Sequence, residues 1–384
     1  MKRIRVLHII KSLNLGGAES NLYNLACAFD RQKVKCYVAY SIGGPFELKL
    51  KEAGIRLYKY ETKDRKVKSS ASLLIILKLA VYILRRRINV VHTHNYNAHV
   101  WGSIAARMCG VRVVEHVHDS RYESNAFLKD KGLPETAQFD QARYFARFSS
   151  RIAVLTTTNR DYLIDNDVVP ANRIRLLLNG IPLDGNGRHG QDLKAELCIP
   201  NEKRIVFTAM RLALEKNAEM VVGIANLLKE RNDVVFIVAG EGPQKGYLEQ
   251  RAIDMGLAKK IMFVGYRPDI KDFLSIADIF ILPTLRELHS ISMIEAMSMR
   301  VPALVSKGAG CNDYFIHKDV NGFLLNPRVA DEWASVIKRL LDNEPLRKKV
   351  GEAGRKLVEK ECDVKKIAAD FTGMYAELCG HKAS

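Results

Sequence analysis

The sequence predicts an α/β protein built from two Rossmann-like, doubly wound domains that face each other across a cleft. Short apolar runs of strand length alternate with helical patterns along the 384 residues. A stretch with four Gly and one Pro, residues 179–190, interrupts the alternation, which then restarts. Strands that alternate with helices imply parallel sheets covered by helices on both faces. We therefore expect domains at 1–180 and 191–361, joined by a linker at about 179–190.

In the first half, apolar runs predict strands at residues 3–10, 34–40, 56–60, 89–92, 111–116, 152–155 and 173–177. Helical periodicity predicts a helix that ends at about residue 29, and further helices at 70–84 and 98–109. The helix at 70–84 is apolar on most sides, so we expect it to be mostly buried.

In the second half, the same signals predict strands at residues 205–209, 234–239, 261–264, 279–282 and 303–305. Helices are predicted at 217–230, 244–255, 270–275 and 292–298, with a long helical tail from residue 330. Ligands of such sheets bind beyond the carboxyl ends of the strands, so the residues that follow each strand are the ones to inspect.

The positive charge is concentrated in the first half of the chain. The net charge is +17, and residues 1–190 hold 31 Lys and Arg against 16 Asp and Glu. The densest part is residues 63–87. Such a field attracts phosphates, nucleic acid or an anionic membrane surface, although a solvated helix with basic ends is the simpler interpretation. No zinc-finger spacing or RNA-binding aromatic motif accompanies the charge, so no nucleic-acid partner is expected.

The seven cysteines form no Cys-x-x-Cys pair, which favours a reducing compartment over disulfides or a zinc site. The longest apolar run, residues 71–84, is shorter than the roughly 20 residues of a membrane span. The N-terminus shows no export signal. We therefore expect a soluble, cytoplasmic protein.

Two features of the first half point to a ligand. Gly16 and Gly17 lie between the first strand and its helix, where glycine lets the backbone approach a phosphate; a plain tight turn is the alternative. The pairs His92/His94 and His116/His118 each end a strand with both rings on one face. They predict a polar acceptor pocket in which His118 and His94 lie furthest along their strands. A metal site would need another histidine or a carboxylate, and histidines bonded into loops are the plain alternative.

Two clusters of the second half could bind phosphate and hydroxyl groups. Arg211 and Lys216, in the loop after the first strand, can clamp a diphosphate, although an ordinary cation pair is the alternative. Gly240 and Gly242 form a turn that admits a ligand close to the backbone.

Glu287 and Glu295 can accept hydrogen bonds from sugar or ribose hydroxyls, because ionised carboxylates act only as acceptors. For Glu295, a capping box that begins at Ser292 is the alternative.

Taken in order, these residues resemble the GT4 family of retaining glycosyltransferases, which have the GT-B fold. The pattern consists of Gly-Gly, His-x-His, Asn-Gly-Ile at the linker, Arg-x4-Lys, Gly-x-Gly-Pro, and Glu-x7-Glu running into Glu-Ala-Met. It spans about residues 4–375. Met210, Leu288, Arg300 and Ala309 stand where the family commonly has glycine.

The resemblance implies a hexosyltransferase of bacterial cell-surface polysaccharide or lipopolysaccharide synthesis. It would move a hexose or N-acetylhexosamine, with retention, from a nucleotide-diphosphate sugar to a glycan or lipid-linked acceptor. A UDP-sugar is favoured as the donor, and no metal or other cofactor is expected. The tail after Cys362 resembles a helix that packs back on the first domain.

The resemblance also implies roles for single residues. Arg211 and Lys216 would hold the diphosphate, Glu287 the sugar hydroxyls and Glu295 the ribose. The further donor-side residues are Gly16, Gly17, Gly240 and Gly242. His118 would be a catalytic residue near the reacting sugar, together with Arg211, Lys216 and Glu287, and His94 would be a second cleft residue on the acceptor side.

The basic residues of the first domain fit an anionic acceptor. Lys63, Arg65, Arg85, Arg86 and Arg87 would attach the protein peripherally to the cytoplasmic face of the inner membrane. Three other functions stay open: a GDP-mannose-dependent mannosyltransferase, a nucleotide-sugar 2-epimerase of the same fold, and a non-catalytic nucleotide-sugar-binding protein.

Overall fold

The computed structural model describes residues 3–60, 71–118, 139–183 and 190–380. It divides into two compact units. The first unit comprises Met1–Pro182 and Asp363–Ser384, and the second comprises Leu183–Cys362. Each unit is a parallel sheet with helices, which confirms the predicted fold class.

The first unit contains a seven-stranded sheet in the order β3-β2-β1-β4-β5-β6-β7. Its strands are β1 (Ile4–Ser12), β2 (Val34–Ile42), β3 (Arg56–Lys59), β4 (Val90–His94), β5 (Arg112–Val117), β6 (Arg151–Val154) and β7 (Ile174–Leu176). Its helices before the linker are α1 (Gly17–Ala28), α2 (Pro45–Glu52), α3 (Ala71–Arg86), α4 (Tyr96–Met108), α5 (Phe139–Ala146) and α6 (Thr157–Asp165). The sequence patterns did not predict α2, α5 or α6.

The second unit contains a six-stranded sheet in the order β10-β9-β8-β11-β12-β13. Its strands are β8 (Arg204–Ala209), β9 (Val234–Ala239), β10 (Ile261–Gly265), β11 (Ile279–Leu282), β12 (Ala303–Ser306) and β13 (Phe323–Leu325). Its helices are α7 (Gly190–Glu196), α8 (Ala218–Leu227), α9 (Lys245–Asp254), α10 (Ile270–Ile276), α11 (Ile291–Ser298), α12 (Asn312–Phe315), α13 (Ala330–Asp342) and α14 (Glu344–Glu361).

The strands form because they are short runs of β-branched and aromatic residues covered on both faces. Every residue of β9 and of β11 is buried, as parallel strands between two helical layers must be. The order reverses between β1 and β4 in one sheet and between β8 and β11 in the other. In doubly wound sheets, such a reversal is where ligands bind.

The helix α3 corrects one prediction. It buries one side, which includes Ile75, Leu79 and Ile83, but its other side is exposed. The apolar residues on that exposed side are Leu73, Leu74, Leu77, Val81 and Leu84, between 43% and 63% exposed. The expectation that this helix is mostly buried was therefore wrong, because its apolar residues occupy both faces.

The tail is not one long helix: α13 and α14 are followed by a separate helix, α15 (Val364–Leu378), in the first unit. Phe371 and Tyr375 of α15 belong to an apolar cluster with residues of β1, β4 and β5. Gly180 allows this approach, because a Cβ there would lie 2.8 Å from the Val364 Cα. None of the described helices combines the length and apolar character needed to cross a membrane.

Candidate active site

The loops after β8 and β11 bring oppositely charged side chains together at the reversal of the second sheet. Lys216 ends a short 3-10 helix, Leu214–Lys216, and Glu287 lies in the loop after β11. The Lys216 Nζ lies 2.8 Å from Oε2 of Glu287, and the two side chains are only 21% and 16% exposed. The backbone N–H of Leu288 donates to the other oxygen, Oε1 of Glu287, at 3.1 Å. These contacts fix the orientation of the carboxylate.

Arg211 lies at the start of the same loop as Lys216, but its side chain is 67% exposed. Its nearest acidic group is Glu215, with 3.9 Å between Nη1 and Oε1. A loose, exposed pair of this kind contributes little stability. Arg211 therefore keeps guanidinium donors for a ligand.

Asn217 joins the loops that hold this ion pair, and the sequence analysis missed it. It has φ +53°, a left-handed conformation that Asn tolerates better than most residues. Its Nδ2 donates to the carbonyl oxygens of Pro283 at 3.0 Å and Pro327 at 2.8 Å. The backbone N–H of Leu285 donates to the Glu215 carbonyl at 3.0 Å, which ties the same two loops again. The sequence signal that could have indicated this role is an Asn placed between a cationic loop residue and the start of a helix.

Gly240 and Gly242, which follow β9, lie so close to a neighbouring loop that a side chain would not fit at either position. A Cβ on Gly240, where φ is +143°, would collide with the Met210 carbonyl oxygen, and one on Gly242 with the Leu212 carbonyl oxygen. They let the loop after β9 lie against the loop that carries Arg211. Their contact with a donor stays a prediction.

A third glycine supports the loop of Glu287. Gly310 has φ +57°, and a Cβ there would collide with the carbonyl oxygens of Glu287 and Leu288. Of the positions that depart from the family glycines, Arg300 has φ +61°, the conformation that glycine favours.

Glu295 lies in the middle of α11, and the capping-box alternative for it is wrong. The N-cap of α11 is Ser290, whose Oγ accepts from the Met293 backbone N–H at 3.3 Å. Among the described residues, no hydrogen bond or ion pair engages the Glu295 carboxyl or joins it to Lys216. Burial raises the pKa of Glu295 to about 7, which nearby Lys271 partly offsets.

In the first unit, Gly16 is the N-cap of α1 and Gly17 its first residue. Within the described part of the chain, no atom lies within 4 Å of a Cβ on Gly17, and one on Gly16 would meet only the flexible side chain of Glu19. Glu19 accepts from Ser12 Oγ at 2.8 Å, and burial raises its pKa. Neither glycine is thus required by the packing of the backbone, which leaves approach by a ligand as a reason for both.

The predicted histidines form a cluster that includes a residue from β1. His8 lies beside His92 in the sheet register, and His94 lies beside His116. The Nδ1 of His92 lies 2.6 Å from the Tyr375 hydroxyl, so α15 holds its ring. Three of these rings, His8, His92 and His94, have ligand nitrogens within 4.8 Å of one another, as do His94, His116 and His118.

Two family profiles match this chain. The profile described as Glycosyltransferase Family 4 matches residues 15–184, and the profile described as Glycosyl transferases group 1 matches residues 191–357. One match falls in each unit. The chain belongs to the family 4 glycosyltransferases. It is therefore an enzyme that transfers a glycosyl group.

Known relatives agree with this assignment. A UDP-Gal:α-D-GlcNAc-diphosphoundecaprenol α-1,3-galactosyltransferase of Escherichia coli is 28% identical over 288 residues, 73% of this chain and 72% of the relative. The α-D-kanosaminyltransferase of Streptomyces kanamyceticus is 26% identical, over 77% of this chain and 79% of that one.

Solved structures show the same fold. Anabaena HepE in complex with UDP-glucose superimposes with a TM-score of 0.84 at 20% identity, over 98% of this chain and all of that chain. The sucrose-phosphate synthase of Thermosynechococcus elongatus gives 0.80 at 17% identity, with the same coverage of both chains.

In this glycosyltransferase, the predicted donor residues are not all brought together. Lys216 and Glu287 are in contact, and Arg211 lies in the loop of Lys216, whereas Glu295 is on α11 and forms no described hydrogen bond with either. His94 and His118 are hydrogen-bonded to each other in the first unit. Among the predicted membrane residues, Arg85 and Arg86 end α3 and Arg87 follows it, whereas Lys63 and Arg65 lie outside the described residues.

Proposed function

We propose that this glycosyltransferase moves a hexose or N-acetylhexosamine, with retention, from a UDP-sugar to a lipid-linked glycan. The assignment of a nucleotide-sugar donor rests on one observation, the Lys216–Glu287 ion pair in the same loop region as the exposed Arg211. It places two cations and one carboxylate at the reversal of the second sheet, which is where a doubly wound sheet binds its ligand.

The hydrogen-bonding capacity of the ion pair fits a sugar diphosphate. Lys216 uses one of its three N–H donors on Glu287, so two remain for diphosphate oxygens. Each carboxylate oxygen of Glu287 accepts one bond in the protein and has a second lone pair for a sugar hydroxyl. When the bond between the anomeric carbon and the diphosphate oxygen breaks, its electron pair goes to that oxygen. Lys216 and Arg211 then stabilise the developing charge.

Glu295 supplies the nucleotide end of the proposed donor site. Its side chain is half-buried and accepts no hydrogen bond among the described residues, so paired ribose hydroxyls would supply donors that the protein does not. No metal is part of this proposal: Lys216 and Arg211 supply the positive charge that faces the diphosphate.

The acceptor half rests on charge and on one relative. The similar Escherichia coli enzyme is named for an acceptor on diphosphoundecaprenol, a lipid with an anionic diphosphate. The first 190 residues carry the charge excess described above. The exposed apolar side of α3 ends at Arg85 and Arg86, and apolar side chains next to basic ones are typical of helices that lie on an anionic membrane surface. We therefore place the protein peripherally on the cytoplasmic face of the membrane.

Nucleotide binding tests the donor half. UDP, GDP, ADP and their common sugar conjugates are titrated by calorimetry, with and without Mg²⁺ and Mn²⁺. We expect UDP binding that does not need the metal and that is weakened in Lys216→Ala. Preference for GDP would favour the mannosyltransferase, and binding of none of these nucleotides would contradict the proposed donor site.

Transfer itself distinguishes the remaining alternative. A UDP-sugar incubated with the enzyme alone should stay intact, and product should form only when a lipid-linked glycan diphosphate is added. Conversion to an epimer without any acceptor would identify a 2-epimerase instead.

A further inference from the structure

Arginines surround a cavity at the amino ends of three neighbouring strands of the first sheet. β5 begins at Arg112, β6 begins at Arg151, and Arg173 immediately precedes β7. Because these parallel strands all begin at one edge of the sheet, the three arginines lie together there. The cavity has a volume of about 510 Å³. The arginines that line this arginine cavity are Arg107, Arg112, Arg147, Arg151 and Arg173.

Helix ends supply the two arginines that the strands do not. Arg107 lies in the last turn of α4, and Arg147 directly follows α5. The guanidinium carbon of Arg107 lies 4.9 Å from the centre of the Phe148 ring, so an aromatic face holds this cation. The backbone N–H of Ser150 donates to the Val113 carbonyl oxygen at 2.8 Å, which ties the segment after α5 to β5.

The positive charge of the arginine cavity is mostly uncompensated. Among its described lining residues, the one acidic group is Glu377, whose Oε2 lies 3.4 Å from Nη2 of Arg151. The side chains of Arg112, Arg147 and Arg173 form no hydrogen bond or ion pair with any described residue. A guanidinium is always charged at neutral pH and carries five N–H donors. Three complete guanidinium groups are therefore available to an anion.

Arg151 also has an unused donor. Its Nη1 donates to the Ser150 carbonyl oxygen at 3.0 Å, and its Nη2 contacts Glu377. Its Nε is buried and finds no hydrogen-bond partner in the part of the chain that the structure describes. A buried N–H without an acceptor is costly, and an anionic oxygen in the cavity would supply the acceptor.

Arginines at the same edge of the second sheet are paired with aspartates instead. Arg204 begins β8, and its Nη1 lies 3.0 Å from Oδ1 of Asp278. Arg231, which precedes β9, forms ion pairs of 2.7 Å with Asp233 and 2.8 Å with Asp342. An arginine near the start of a strand is thus neutralised within the second unit. In the first unit, the described residues bring five arginines together around one carboxylate.

A smaller basic cavity at this edge of the first sheet is a weaker candidate. Its volume is about 370 Å³, and two of its cations already bond to the backbone. Nε of Arg3 donates to the Val34 carbonyl oxygen at 3.4 Å, and Nη1 of Arg5 donates to the Arg86 carbonyl oxygen at 3.2 Å. The arginine cavity therefore offers more unused donors.

We propose that the arginine cavity binds a ligand through a phosphate or diphosphate group. Guanidinium groups match phosphate oxygens in bidentate pairs, and a cluster of them attracts anions from a distance. Its volume lies in the range of small-molecule sites, about 300–1,000 Å³, so there is room for more than one phosphate. The phosphate belongs to a soluble metabolite or to a lipid headgroup, which present the same oxygens. The cavity lies in the first unit, whereas Lys216 and Glu287 lie in the second, so this inference does not rest on the proposed function.

Calorimetric titration of the full chain with inorganic diphosphate tests the cavity. The titration uses Lys216→Ala, which weakens the predicted donor site, and the same variant with Arg112→Gln and Arg147→Gln added. Both arginines are exposed, so the added substitutions spare the core. Affinity for diphosphate should fall about tenfold or more on their addition, because charged hydrogen bonds are lost. Unchanged affinity would overturn the proposal. The comparison needs no transfer activity, and it holds even if Lys216 does not bind the donor.

Arg56→Gln, added to Lys216→Ala in the same way, is the matched control. Arg56 also begins a strand of this sheet, β3, and is exposed, but it does not line the cavity. The control should keep the affinity for diphosphate. An equal loss in Arg56→Gln would show a general attraction between the basic chain and anions, and would overturn the proposal.

Vesicles distinguish the two sources of the phosphate. The same variants are floated with vesicles rich in phosphatidylglycerol. Flotation that weakens with Arg112→Gln and Arg147→Gln, but not with Arg56→Gln, would support the proposal with a lipid headgroup as the ligand. Unchanged flotation together with the loss of diphosphate affinity would support it with a soluble phosphate.

Discussion

Lys216 and Glu287 form one ion pair of 2.8 Å across two loops of the second sheet, although 71 positions separate them in the sequence. The cation predicted for the diphosphate and the carboxylate predicted for the sugar are therefore one unit before a donor arrives. Each orients the other, so loss of either also leaves its partner without its main contact.

Lys216→Ala should lower turnover by about 10²–10³, the range for removal of a group already in place to stabilise developing charge. Steady-state kinetics with the donor sugar measure it. Lys348→Ala is the control, because Lys348 forms an ion pair of 2.7 Å with Glu344 in an exposed turn of α14. Wild-type turnover in Lys216→Ala would contradict the site. Since the pair acts as a unit, Lys216→Ala combined with Glu287→Ala should lose less than the product of the single losses.

The fold and the charged residues of this site were predictable from the sequence, because apolar periodicity and the Arg-x4-Lys and Glu-x7-Glu spacings are local signals. The function of Asn217 was not, since its two carbonyl partners lie 66 and 110 positions away. His8 escaped attention for the same reason: in the sequence it is one polar residue in an apolar strand. The exposed face of α3 was misjudged because composition alone does not show which face a helix buries.

Gly242→Ala should weaken UDP binding, because it pushes apart the loop after β8 and the loop after β9. The added methyl would collide with the Leu212 carbonyl oxygen and would lie 2.7 Å from the Leu212 nitrogen. Titration calorimetry with UDP measures the loss. Gly246→Ala, four positions on in α9, meets no atom of the described residues within 4 Å. It should leave binding unchanged while stabilising the helix by about 0.5–1 kcal/mol. Equal affinities for both variants would show that this loop contact does not shape the site.

Asn217→Ala should lower the free energy of unfolding by about 2–4 kcal/mol, because it loses two hydrogen bonds and adopts a left-handed conformation that Ala disfavours. Asn217→Gly loses the same hydrogen bonds but tolerates the conformation, so its loss should be smaller. Urea unfolding compares the two. Both variants should also lower kcat, since Asn217 holds the loop of Lys216. Full activity in both would show that Asn217 does not help to position the site.

Substitution of the exposed leucines of α3 should release the protein from anionic membranes. Leu73→Ser, Leu77→Ser and Leu84→Ser together remove apolar side chains that are 43–63% exposed, so core packing is spared. Flotation with vesicles rich in phosphatidylglycerol measures binding, which should weaken with salt and after combined Arg85→Ser, Arg86→Ser and Arg87→Ser. Leu48→Ser on α2, where Leu48 is 62% exposed, is the control. Unchanged flotation of both combined variants would show that α3 is not the membrane surface.

Glu295 should make both stability and nucleotide binding depend on pH around neutrality. Its pKa rises from 4.5 to about 7 on folding, so the folded protein disfavours the ionised form. The contribution of the protonated carboxyl to the free energy of unfolding is therefore fully present below pH 4.5. It is lost as the pH rises through 7. Glu295→Gln removes the titration, so it should be more stable than the wild type above pH 7, by about 1.4 kcal/mol for each unit of the shift. The difference should vanish below pH 4.5.

UDP binding should require the ionised form of Glu295, whereas folding stability favours the protonated form. Ribose hydroxyls need the ionised carboxylate as their acceptor, so the wild-type affinity for UDP should rise about tenfold from pH 6 to pH 8. Glu295→Gln should bind UDP weakly and without this rise, and its profile also corrects for the titration of the nucleotide phosphate. Glu202→Gln, at an exposed position, should keep the wild-type profile. A stabilised Glu295→Gln variant that binds UDP as the wild type does would confirm the buried charge but remove Glu295 from the donor site.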